Sequence, residues 1–321
     1  MPYTCSVFEI IQAELASFGN RLAKELHSDV DFIKEINESL VSAGGKRLRP
    51  SLSLLAGKLL GVSSETSIQV ALTVELTHSA TLLHDDLIDN AETRRGLESA
   101  FRRYGNVVSV MSGDFMLARA LGLLAKLSHS GFTRLMSETA TQICEGEVLQ
   151  LQMASQESWD FDLYRRVIEG KTAVLFAAAL EGVGLFSGRP VQELEALRSF
   201  GMCYGRAFQM RDDYLDLMGD ESLIGKPVGG DLREGNGTFP VLWLLAGGVK
   251  EAQAIFGRRA SKNGDIRRMI ELVRCHGGDK ATKDQIAKDI SKAKKALSTF
   301  ESSEARACLT QLADLEISRV A

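Results

Sequence analysis

Two acidic clusters of the same spacing constrain this chain more than any other feature. The first is Asp85, Asp86 and Asp89 in LLHDDLID, 82–89, and the second is Asp212, Asp213 and Asp216 in RDDYLD, 211–216. Each closes a stretch whose apolar residues recur at helical period. The outer carboxylates of a cluster therefore stand one turn apart on one helix face, about 6 Å along the axis. Asp is a poor helix former, and carboxylates near a helix C-terminus oppose the dipole there. One such cluster reads most simply as a solvated surface; two matched ones ask for a shared cation. Oxygen-only ligands select a hard ion such as Mg²⁺, which keeps several waters and shares phosphate oxygens with a substrate. Arg94 and Arg95, just beyond the first cluster, suit those phosphates. If both clusters hold metal, residues 85 and 212 must meet, so residues 1–321 are expected to form one domain, not the two that length alone suggests.

Almost no segment alternates as a strand. With five prolines in 321 residues, 45% hydrophobic content and helical periods throughout, the expectation is an all-α bundle of long helices around a central hydrophobic cavity. A net charge of −4 and the lack of a long basic run give no reason to expect nucleic acid. The five cysteines, Cys5, Cys144, Cys203, Cys275 and Cys308, are scattered without CxxC spacing, so neither a disulfide framework nor a zinc site is indicated, and a cytoplasmic location fits best. The N-terminus, MPYTCSVFEIIQAELASF, does not read as a signal peptide, and nowhere do 18 apolar residues run together. Peripheral membrane contact stays open.

In chain order, helices are expected over 5–26 and 30–43, the second ending at Gly44-Gly45. Gly45-Lys46-Arg47-Leu48-Arg49-Pro50 then opens a helix at Pro50, a ready anion site. The helix over 67–89 carries Glu75 and His78, an ExxH pair. A di-iron bundle is rejected, because no other histidine has Glu three residues before it. His78 lies two turns below Asp85 on the same face, either donating to a phosphate or satisfied in the core. Stepping back from Asp85 gives Thr81, Thr77 and Val74, all small. Helices over 106–127 and 132–153 follow, with Asp114, Glu145 and Glu147 structural or solvent-facing. Trp159-Asp160-Phe161-Asp162 looks like a capped turn. Glu169-Gly170-Lys171-Thr172 interrupts the next helix, and Lys171 is either a snorkelling side chain or an anion ligand. In the helix over 193–219, Gly205 and Gly201 lie under Asp212. Two helical glycines cost about 1 kcal/mol each against alanine, and a hollow between helices, topped by metals, would explain them. Gln209 points near the same mouth. Residues 225–240, GKPVGGDLREGNGTFP, form the longest break from helix and do not make a Walker-type loop.

From GGKRLRP through LLHDDLID and FQMRDDYLD to GKPVGGDLREG, the chain resembles the trans-isoprenyl diphosphate synthases: two DDxxD boxes, RRG after the first and FQ before the second, in family order. The resemblance implies that Asp85, Asp89, Asp212 and Asp216 ligate Mg²⁺, three ions per site, with Asp86 and Asp213 adjacent. It implies that Lys46, Arg49, His78 and Arg95 bind isopentenyl diphosphate, and that Arg94, Lys171, Thr172, Gln209 and Lys226 hold the allylic diphosphate. Asp85, Asp86, Asp89, Arg94, Lys171, Asp212, Asp213 and Lys226 then carry the chemistry: diphosphate departs, the isopentenyl double bond attacks the allylic cation, and a proton is lost. A homodimer is the family default.

One departure is Asn236, where the family usually has lysine. Short-chain members carry large aromatic residues at the fifth and fourth positions before the first Asp, where this chain has Ala80 and Thr81. Ala80 enters on the resemblance alone. A long product, hexaprenyl to decaprenyl, is expected, suited to a quinone side chain. The alternatives are a geranylgeranyl or farnesyl diphosphate synthase and a catalytic subunit of a heteromeric synthase. A terpene cyclase usually replaces the second box, and a non-catalytic subunit tends to lose both.

Overall fold

The computed structural model describes residues 8–42, 45–94, 97–156, 159–220 and 227–318. A 3-10 turn, Glu9–Ile11, leads into α1 (Gln12–Glu25) and α2 (Asp31–Ser42). Cys5 and Gly44 lie outside the described residues. α3 (Leu48–Leu60) begins two residues before Pro50, with Arg47 left-handed at φ 46° as its N-cap. Proline inside the first turn removes an N–H that has no helical partner, so the start precedes it. α4 (Ser64–Ile88) starts where the Ser63 hydroxyl accepts from the Thr66 amide.

A two-residue hairpin, β1 (Thr93–Arg94) with β2 (Leu97–Glu98), follows the first acidic cluster and is the one sheet among the described residues. Then come α5 (Ala100–Tyr104), α6 (Asn106–Leu127), α7 (Ser130–Gln156) and α8 (Phe161–Ile168), with Asp160 capping α8 as expected. The interruption at Gly170 is a π turn, Glu169–Ala173, that runs on into α9 (Val174–Gly184). α10 (Val191–Met218) carries the second cluster. α11 (Gly230–Glu234) puts a short helix inside the expected break, and α12 (Phe239–Ala246), α13 (Lys250–Gly257), α14 (Asp265–Cys275), α15 (Gly278–Ala296) and α16 (Glu304–Ser318) complete the all-α fold.

α4, α9 and α10 sit at the centre, and their composition explains why. α9 is apolar along almost its whole length and buried on every side, so it must be enclosed. α4 packs against α3, α6 and α9, and α10 packs against α9 and α15. The expected hollow under Asp212 is absent at the glycines. A Cβ on Gly201 would lie 2.4 Å from the Ala177 Cα, and one on Gly205 would lie 2.5 Å from the Ala173 Cα. These glycines let the backbone of α9 and of the π turn before it touch α10; close approach, not a cavity, offsets their low helix propensity.

Gly201→Ala should lower stability, because about 1–3 kcal/mol of overpacking exceeds the roughly 1 kcal/mol of added helix propensity. A urea midpoint equal to or above that of the parent protein would show that the two helices do not need this contact.

Candidate active site

The C-terminal ends of α4 and α10 present the two clusters in unlike surroundings. Asp86 is buried, Asp85 half-buried and Asp89 exposed. Asp213 and Asp216 are buried, while the Asp212 side chain stays 46% exposed. Between them lies the π turn. It crosses α7 where Gly146 faces Gly170, so closely that a Cβ on Gly170 would sit 2.8 Å from the Gln142 carbonyl oxygen. That crossing sets Lys171 beside Glu147 at 2.9 Å, with Gln150 Oε1 3.3 Å away. Burial works against the charge on Lys171, but Glu147, Asp85 and Asp89 outweigh it and hold the ammonium above its ordinary value.

The next residue faces the other cluster. The Thr172 hydroxyl donates to Gln209 Oε1 at 2.7 Å, and Gln209 Nε2 donates to Asp213 Oδ1 at 2.7 Å. The Tyr164 hydroxyl donates to the second oxygen of Asp213, also at 2.7 Å. Burial, reinforced by Asp212 and Asp216 and opposed by these two donors, pushes Asp213 up to about 6. Asp216 accepts from the Asp231 amide at 3.1 Å, and its carbonyl accepts from the Gly229 amide at 2.6 Å, which ties the following loop to α10. Asp212 accepts from Arg211 Nε at 3.1 Å. Arg211, fully buried, also pairs with Glu316, which takes the Tyr204 hydroxyl at 2.9 Å.

A cationic group stands opposite. Arg47 pairs with Glu75 at 2.6 Å, and Arg49 donates to His78 Nε2 at 3.1 Å. An accepting Nε2 leaves the ring proton on Nδ1. The ExxH pair thus meets two arginines, consistent with rejecting a di-iron centre. Arg49 lies 4.2 Å over the Phe176 ring, and burial draws it down to about 10 against the pull of Glu75, Tyr204 and Asp212. Lys46 is exposed in the loop before α3. Arg95, Lys226 and the side chain of Arg94 lie outside the described residues.

Beneath Asp85 the small residues run as expected, but the column is closed over most of its length. Val74 and Ala80 are completely buried, Thr77 nearly so, and Thr81 only half. Farther down α4, Val70 and Phe132 both crowd Gly182, and the Phe132 ring packs edge-on to Phe186.

No cluster of three or more Asp, Glu, His or Cys side chains is pre-assembled for a metal among the described residues. The donors that remain accessible, Asp85, Asp89 and Asp212, are all carboxylates. Such a set fits Mg²⁺, which completes its shell with water and phosphate oxygens and seldom sits in an all-protein cage.

The polyprenyl synthetase family model matches residues 30–273. The octaprenyl diphosphate synthase of Escherichia coli K12 is 35% identical over 315 residues, 97% of each chain. A polyprenyl synthase from Caulobacter crescentus, solved with calcium and isoprenyl diphosphate, superposes with a TM-score of 0.92 at 37% identity, covering 98% of both chains. A decaprenyl diphosphate synthase from Rhodobacter capsulatus does so with 0.92 at 34% identity and the same coverage. The chain belongs to the polyprenyl synthetase family.

Within that family, three residues close to the clusters have partners that the sequence does not announce. Glu147 and Gln150 hold Lys171, and Tyr164 holds Asp213. Of the two expectations for Glu147, structural or solvent-facing, its burial against Lys171 fits the structural one. Asp114 does lie outward, 3.5 Å from His84. Asn236, the departure from the family pattern, is buried and donates to Glu234 at 3.0 Å. It borders the same enclosed space, about 80 Å³, as Lys171, Gln209 and Asp213. Tyr164→Phe should cost about 1–3 kcal/mol, the effect of leaving a buried acceptor short of a donor. An unaltered denaturation midpoint would mean that Asp213 does not depend on that hydroxyl.

Proposed function

We propose that this prenyltransferase condenses isopentenyl diphosphate with an allylic diphosphate to make a long all-trans chain, hexaprenyl to decaprenyl, for a quinone side chain. The observation that carries it is the placing of Lys171 and Thr172, adjacent residues that serve opposite acidic clusters. Asp85, Asp89, Asp212 and Asp216 hold Mg²⁺, as the calcium and isoprenyl diphosphate of the Caulobacter relative support. Bound there, the metal supplies charge neutralisation for the departing diphosphate. Lys171, Thr172, Gln209, Arg94 and Lys226 take the allylic diphosphate, and Lys46, Arg49, His78 and Arg95 take the isopentenyl one. The allylic C1–O bond breaks with its electron pair leaving on the diphosphate, the isopentenyl double bond attacks C1, and a proton is released as the new double bond forms. Asp213, with both oxygens engaged inside the protein, positions its neighbours.

Ala80 and Thr81 place no ring below Asp85, which favours the long product; the octaprenyl and decaprenyl relatives favour it too. Chromatography of products from labelled isopentenyl diphosphate tests both halves. Chelation should abolish turnover, Asp85→Asn should lower kcat by about 10²–10³, and Ala80→Phe should shorten the product. Activity that survives chelation sinks the metal assignment, and an unchanged chain length in Ala80→Phe sinks the specificity assignment.

The protein acts as a cytoplasmic homodimer in this reading. α6 leaves Val107, Met111 and Leu121 exposed, and α7, the next helix in the chain, leaves Val148 and Leu151 exposed. α6 is the one helix among the described residues long and apolar enough to cross a membrane, yet Asp114 interrupts its outer face. A second copy covers such a stripe better than lipid does. Light scattering should give twice 35.0 kDa; a stable particle of 35.0 kDa at micromolar concentration overturns it.

A further inference from the structure

A second cavity, about 290 Å³, shares Tyr164 and Ile168 with the enclosed space around Asp213. Its walls are aromatic: the Phe161 and Phe239 rings lie 4.9 Å apart, and Tyr164 meets Phe239 edge-on at 6.3 Å. Trp243 stands at the mouth, 43% exposed, with its Nε1 fixed on the His276 carbonyl at 3.0 Å. The floor is polar but internally matched, since Arg206 pairs with Asp289 at 2.8 Å and with Glu169 at 2.9 Å. Arg165 at the rim is also held by Glu169, at 2.8 Å. Lys292, exposed at the rim, makes no hydrogen bond or ion pair among the described residues, and exposed Asp162 lies across the mouth.

We infer that this cavity binds a small amphipathic monoanion, and that the allylic diphosphate site feels its occupancy through Tyr164. The volume is at the lower end for small-molecule sites, and half of the lining is apolar, four of those six residues being aromatic, while the polar half is spent largely on its own ion pairs. A ring-sized apolar body packs against the joined Phe161 and Phe239 rings on one side and Trp243 on the other, and its single charge meets Lys292. A more highly charged head finds no second cation to spare, because Arg206 and Arg165 are matched and Asp162 repels it. The Tyr164 ring is the shared wall, and its hydroxyl donates to Asp213. A ligand pressing on that ring shifts the carboxylate on which Gln209 and Thr172 depend. The binding half goes beyond prenyl transfer, and the coupling half rests on that reading.

The chain has two tryptophans, Trp159 and Trp243. The Trp159 Nε1 finds no hydrogen-bond partner among the described residues, so Trp159→Phe leaves Trp243 as sole reporter at little expense. With 3,5-dibromobenzoate as probe, a contact quencher, the Trp159→Phe protein should show saturable quenching. Adding Lys292→Glu should weaken it at least tenfold, and Lys292→Arg should retain it. Quenching that does not saturate, that ignores Lys292→Glu or that isopentenyl diphosphate displaces overturns the site. At saturating probe, the KM for the allylic diphosphate of the unsubstituted enzyme should change about fivefold or more, and that change should vanish in Tyr164→Phe. An unmoved KM overturns the coupling alone. Lack of turnover without probe counts against the prenyl-transfer reading and leaves the quenching result untouched.

Discussion

Like charge brought together at two helix ends is the burden that the centre of this molecule is arranged to carry. Two carboxylates 4 Å apart near a protein surface repel by about 4 kcal/mol, and each cluster sits where the helix dipole adds to the penalty. Three devices offset it. Lys171 lies within the field of Asp85 and Asp89, and Glu147 helps keep it charged. Arg211, buried against Glu316, reaches Asp212 from beneath. Asp213 answers by favouring its proton up to about pH 6.

These devices separate residues that look equivalent as letters. Within DDYLD, Asp213 has both oxygens committed to Tyr164 and Gln209, Asp216 accepts from the backbone of the next loop, and Asp212 keeps nearly half its side chain in solvent. In the first cluster only the middle residue is buried. The clusters thus share a buried middle carboxylate and an accessible first one, and they part at the last position, where Asp89 is exposed and Asp216 is tied to the frame.

Spacing made the helices and the clusters legible, because one turn of helix is a local quantity. Partnerships across the fold were not. Glu147 meets Lys171 from 24 residues away, and Tyr164 meets Asp213 from 49; nothing near either residue in the chain announces its partner. Gly201 and Gly205 gave a true signal with two meanings. A helix without side chains can border a void or admit another backbone, and only the position of α9 decides between them. The small column from Thr81 to Val74 was read correctly for residue type, but its closure depends on α3, α6 and α9, which helical arithmetic on α4 does not describe.

The wide turn at Glu169–Ala173 holds one residue more than ordinary winding would use. Removing one residue there would restore regular pitch but leave four positions where five residues now project, so Glu169, Gly170, Lys171 and Thr172 could not all keep their present directions. Each of those directions is in use: Glu169 holds Arg165 and Arg206, Gly170 admits the α7 backbone, and Lys171 and Thr172 each keep a partner beside its own acidic cluster. The extra residue works as a spacer that lets one continuous helical rod address both banks of the mouth, so this segment is constrained in length as well as in side chain.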